Sequence, residues 1–147
     1  MSFKERRQRE KLRSGLKKLT RKGFRGYPVA TIAHYGPDDQ HATKAAVGIV
    51  MIEGGEAEVL KRWFSDGDVR NDPVIAAEMV EFIQLHGARS VVIADRIMGC
   101  PHEEGTDYPE GAECPACPFW VGRDRFTGKI IHRAERTSRR LGARQRL

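Results

Sequence analysis

All three cysteines of this 147-residue chain fall between positions 100 and 117, with a histidine beside the first, in the pattern C-x-H-x11-C-x2-C. The pair Cys114–Cys117 is the strong half of the pattern. Two thiolates three positions apart on a tight turn can both reach one Zn2+ at about 2.3 Å, and Pro115 stiffens that turn. Cys100 and His102 form a second short-spaced pair. The intervening segment, with Gly105, Pro109 and Gly111, is long enough to bring the two pairs together. It is poor in aliphatic residues, so little besides a metal would order it. The expected ligands are therefore Cys100, His102, Cys114 and Cys117. Three sulfurs and one imidazole favour Zn2+ over an iron–sulfur cluster. His132 is a rival fourth ligand, and if it coordinated, His102 would be released. The competing reading is that these are ordinary buried or reactive cysteines. An odd number of thiols without an apolar leader does not read as a disulfide framework.

Whether such a site is closed or catalytic stays open at this level. His102-x-Glu104 followed by Cys114-x2-Cys117 resembles fragments of the zinc deaminase signature, H-x-E with C-x-x-C, over about sixteen residues. The resemblance implies zinc held by His102 and the two cysteines, with Glu104 shuttling protons. The chain departs from that family at Glu113, which stands where the family has proline. Cys114 also follows Glu104 too closely to admit the family's intervening helix–strand–helix, so the deaminase fold is not expected. A different metal-dependent hydrolase remains as an alternative, with Glu104 or Glu103 as general base and Asp95 nearby at the end of a strand, where ligands gather in α/β sheets.

The rest of the chain reads as an α+β domain. A chain of this length buries about 68–70% of its unfolded surface, so it has a core without the metal. Residues 3–23 are helix-forming, with Leu12, Leu16 and Leu19 on one stripe and charge elsewhere, so this helix needs a surface to form on. Residues 28–35 and 42–52 alternate as strands around a Pro/Asp turn and should form a hairpin. Residues 57–64 read as a short helix with Val59, Leu60, Trp63 and Phe64 facing inward. Asp72-Pro73 starts a second helix, with Asp at the cap and Pro in the first turn, and Gly87 stops it. Residues 89–95 read as a strand central to the sheet. The expectation is a small mixed or antiparallel sheet in the order β-β-α-α-β with helices on one face and a zinc knuckle after the third strand. In segments, this gives a basic arm at 1–26, an α/β body at 27–98, a zinc-binding loop at 99–128 and a basic tail at 129–147. Phe119 and Trp120 should pack the loop onto the body.

Charge is strongly segregated. Residues 1–26 hold eleven Lys/Arg against two Glu, and residues 123–147 hold nine against two acidic groups, whereas residues 27–122 hold six against sixteen. An acidic body with two basic arms points to a polyanion partner, because each phosphate contact releases counterions. Nucleic acid is expected, RNA rather than DNA, since no DNA-docking motif is visible. Lys17, Lys18, Arg21, Lys22 and Arg25, with Arg133, Arg136, Arg139 and Arg140, would contact phosphates. An acidic protein partner is the alternative occupant of the arms. The absence of an apolar leader or membrane span suggests a cytoplasmic protein.

Overall fold

A computed structural model describes residues 2–123, and within them the side chains of residues 8–14 and Asp95 lie outside the described set. The first helix, α1 (Phe3–Arg21), opens with a capping box. The Ser2 hydroxyl accepts from Glu5 N at 3.2 Å, and the Glu5 carboxylate accepts from Ser2 N at 3.2 Å. Two of the orphan N–H groups at the helix start are thereby satisfied. The surface that α1 needs is supplied by the second helix, and Leu16 and Leu19 pack against the core.

Strands β1 (Val29–Tyr35) and β2 (Lys44–Val50) form the expected antiparallel hairpin. Residues Ala57–Phe64 form a third strand, β3, antiparallel to β2, and not a helix. The order is thus β-β-β-α-β over the body rather than β-β-α-α-β. The reason lies in the turn. Gly55 N donates to Ile52 O at 3.1 Å, and Gly54 takes a positive φ of 74°. A Gly-Gly reversal of this kind joins strands. In β3, Trp63 points into the core while Lys61 and Arg62 blunt the edge, as edge strands require.

A short 3-10 turn, Val69–Asn71, leads into α2 (Pro73–Leu85). The Asp72 carboxylate accepts from Val74 N and Ile75 N at 2.9 and 3.1 Å, as a cap residue should. Strand β4 (Ser90–Ile97) then runs parallel to β1. Among the described residues the sheet order is β3-β2-β1-β4. Val92 and Ile93 of β4 are exposed.

Both helices cover one sheet face. Ala30, Ile32, Val47, Ile49 and Val91 point from the sheet toward Ile75, Met79, Phe82 and Ile83 of α2. Fully burying an aliphatic side chain such as Ile49 contributes about 1.5–3 kcal/mol. Ser90 ties the chain after α1 to β4, its hydroxyl donating to Gly26 O at 2.6 Å and accepting from Arg25 N at 2.7 Å. The carboxyl ends of β1, β3 and β4 share one edge of the sheet, and the cysteine segment follows directly from β4. Among the described residues, no helix is long and apolar enough to cross a membrane.

Candidate metal centre

Cys100, His102, Cys114 and Cys117 converge. Their ligand atoms all lie within 4.8 Å of one another, which is compatible with binding a metal ion. His102 Nδ1 sits 3.1 Å from Cys100 Sγ, 3.4 Å from Cys114 Sγ and 3.5 Å from Cys117 Sγ. A tetrahedral ion with bonds of about 2.3 Å to sulfur and 2.0 Å to nitrogen has S···N edges of about 3.6 Å. The observed edges are close to that value. His132 lies outside the described residues.

Local folding makes the arrangement. Cys117 N donates to Cys114 O at 3.5 Å, closing the C-x2-C turn. His102 N donates to Cys100 Sγ at 3.2 Å, the backbone-to-sulfur bond that short ligand spacings allow. Between the pairs, Glu104 and Tyr108 form an isolated bridge, and Gly105 N donates to Tyr108 O at 2.8 Å. Tyr108 is buried beside the three cysteines and Trp120, and these residues make a second, separate cluster. The cysteines are almost fully buried, whereas His102 is exposed.

Without a cation this is a strained set of acids. Burial pushes the Cys100 thiol up to about 12 and also raises Cys117. Burial opposes ionisation at Cys114 too, but the Ala116 N–H and hydrogen bonds from the other two thiols outweigh it and bring that thiol down. Burial thus opposes the thiolate form at all three cysteines, and a divalent ion would offset that cost.

The loop is pinned to the sheet by a buried lysine that the sequence reading did not single out. Lys44, only 4% exposed, donates from Nζ to Pro101 O at 3.0 Å and to Glu103 Oε1 at 3.1 Å. The same ammonium lies over the rings of Tyr35 and Phe64, at 5.3 and 5.7 Å from their centroids. Glu103 also pairs with Arg62 of β3. Lys44, through its hydrogen bond, holds the Glu103 carboxyl below its ordinary range, and Arg62 adds to this. A lysine at the end of an apolar strand looks like a solvated terminus, and only its partner three-dimensionally adjacent at Glu103 reveals the role.

The remaining candidates are placed as follows. Glu104 accepts from Gly111 N at 2.7 Å, bracing the loop internally. Asp107 accepts from Glu103 N at 2.7 Å. Asp95 lies within β4, and its neighbour Arg96 lines a cavity beside the helices. Trp120 packs on both clusters, and its indole donates to Gly36 O at 2.8 Å, so it docks the loop on the β1–β2 turn. Gly36 cannot be larger, because a Cβ there would meet His41 O at 1.6 Å. Phe119 meets Trp120 edge-to-face and carries the Arg123 guanidinium over its ring, 4.1 Å from the centroid. Lys17, Lys18, Arg21, Lys22 and Arg25 are exposed at the end of α1 and just beyond it. Arg133, Arg136, Arg139 and Arg140 lie outside the described residues, as do 124–128 of the expected zinc loop and the tail.

Comparison with known protein families, with curated proteins and with solved structures finds no match to this chain.

Proposed function

We propose that this is a non-enzymatic zinc protein in which the metal orders a loop at the carboxyl edge of the sheet, and that the basic terminal segments bind nucleic acid, with RNA favoured. The observation that carries the metal reading is the convergence of four protein ligand atoms, three sulfurs and Nδ1 of His102, within 4.8 Å. Structural zinc sites are closed by four protein ligands, whereas catalytic sites keep one position for water. The donor set suits zinc. The two glutamates of a hydrolase reading have other engagements: Glu103 with Lys44 and Arg62, and Glu104 with the Gly111 N–H. That supports a structural role. Elemental analysis of the purified chain tests it, with one zinc per chain expected and no stoichiometric metal contradicting it.

The nucleic-acid reading rests on charge. Lys18 and Arg21 follow at helical spacing on the side of α1 away from Leu16 and Leu19, with Lys17 at the margin of that face and Lys22 and Arg25 just beyond. This leaves a cationic face free to meet phosphates while the acidic middle of the chain carries the opposite sign. Replacing Lys17, Lys18, Arg21 and Lys22 with Ala should weaken single-stranded RNA binding. It should also flatten the salt slope by up to about 3, at roughly 0.7 per phosphate contact. A slope identical to that of the unaltered chain rejects the role of this face. A protein complex that survives nuclease treatment would favour an acidic protein partner instead.

A further inference from the structure

We propose that the link between α1 and β1 is a stacking site for an unpaired base of single-stranded RNA, with Phe24 as the platform and Lys22, Arg25 and Arg89 as phosphate contacts around it. The site presupposes the nucleic-acid reading above and adds to it a contact with a base rather than a phosphate. Phe24 is 67% exposed and belongs to neither apolar cluster. Its ring meets that of Tyr27 edge-to-face, with centroids 5.6 Å apart and planes at 74°. That contact orients the ring and leaves most of it in solvent. Every base has a π-face, so an exposed aromatic on a basic surface binds single strands with little sequence preference.

A single exposed apolar side chain is ordinary on a protein surface. What sets Phe24 apart is the charge around it. No acidic residue occurs between positions 11 and 37, the stretch that holds Lys17, Lys18, Arg21, Lys22 and Arg25. Arg89 reaches the same surface from just before β4, its Nη1 3.4 Å from where a Cβ on Gly26 would stand. Lys22, Arg25 and Arg89 are exposed, and none of them is ion-paired to another described residue. The carboxylates Glu53 and Glu56 of the β2–β3 turn are at the same end of the sheet but across β1 from Arg89.

The link is fixed before any ligand arrives. The Ser90 hydroxyl, on a residue only 2% exposed, bridges Arg25 N and Gly26 O, and Pro28 O accepts from Arg89 N at 2.8 Å. Gly26 takes a φ of 102°, a conformation that favours glycine, and the Arg89 guanidinium lies against it. The backbone that carries Phe24, Arg25 and Tyr27 is thereby tied to the start of β4, so less ordering entropy opposes binding. Val29 pairs with Ser90 at the amino ends of β1 and β4, whereas the cysteine segment leaves the carboxyl end of β4. The stacking site and the metal centre thus occupy opposite ends of the sheet.

The test uses the full metal-loaded chain and a short fluorescein-labelled oligouridylate, followed by fluorescence anisotropy. A blunt RNA duplex of the same length, with every base paired, is the control. Phe24→Leu keeps an apolar side chain and removes the ring. It should weaken oligouridylate binding roughly 5- to 150-fold, the range that losing one base–aromatic stack brings, with the salt slope unchanged and duplex affinity within twofold of native. R25A/R89A should instead weaken both RNAs and flatten the single-strand salt slope by up to about 1.4, for two phosphate contacts. Phe24→Trp, which enlarges the ring, should bind the oligouridylate at least as tightly as the native chain, and it serves where the leucine variant fails to fold by circular dichroism. A loss below fivefold in folded Phe24→Leu, an equal loss on both RNAs, or weaker binding by folded Phe24→Trp would overturn the stacking site and leave the phosphate contacts standing. A slope unchanged in R25A/R89A would remove the cationic surround, and the proposal with it. No binding of either RNA by the native chain would overturn the nucleic-acid reading as well and would favour the acidic protein partner.

Discussion

The body and the cysteine loop of this molecule are held by different physics. The body has a continuous apolar core, with Ile32, Val47, Ile49 and Ile83 buried between the sheet and the helices. The loop has one aromatic, Tyr108, among its three thiols, and Trp120 at the seam. A cluster that small cannot offset the ordering entropy of about 1–2 kcal/mol per residue over the segment. What remains is point-like: one converging set of four donor atoms, one buried ammonium and one indole hydrogen bond. The first region fails gradually when trimmed, and the second should fail all at once.

The largest effect should come from removing the metal. Apparent binding energies of structural zinc are about 10–16 kcal/mol, far above any single contact in the loop. Chelation, or Cys117→Ser, should expose residues 99–123 to proteolysis while amide exchange in β1, β2 and α2 stays protected. Equal loss of protection in both regions would erase the distinction drawn here. Next in size is a core truncation. Ile49→Ala should cost about 2–5 kcal/mol in denaturant unfolding, with one metal per folded chain retained. Smaller again is the joint. Lys44→Met keeps the aliphatic stem but leaves Pro101 O without its donor and Glu103 with Arg62 alone, and it should cost about 1–3 kcal/mol. Its signature is faster metal release to a chelator, with β1–β2 exchange unchanged.

The smallest predicted effect is a pH dependence confined to the body. Arg70, through its hydrogen bond, holds the Asp68 carboxyl well below the usual range, and the Ala42 N–H adds to this. A depressed native pKa contributes stability above the unfolded value of about 3.9 that is lost as pH falls toward the native value. Asp68→Asn should therefore be less stable than the unaltered chain at pH 7 and should lose less stability on acidification, as measured by thermal unfolding between pH 7 and pH 2.

The same contrast governs what could be read from the sequence. The convergence of Cys100, His102, Cys114 and Cys117 was legible because short ligand spacings are a chemical requirement of a metal site. Asp72-Pro73 was legible because a cap is local. Residues 57–64 were misread because Val59, Leu60, Trp63 and Phe64 satisfy a helical stripe and a strand with apolar groups on both faces equally well. The Gly54-Gly55 reversal is the deciding signal, since it pairs this segment with β2. The place of β4 in the sheet depends on long-range pairing that no local window contains. Lys44 was invisible for the same reason, since its partners lie some sixty positions away. The basic termini show the opposite limit: their composition suggests a partner class without specifying a surface.

Metal-edge X-ray absorption on the purified chain tests the central claim most directly. The account predicts zinc surrounded by three sulfurs at about 2.3 Å and one nitrogen at about 2.0 Å. A first shell containing a water oxygen in place of one of these donors, or no bound metal in a chain whose loop is still protected, would contradict it.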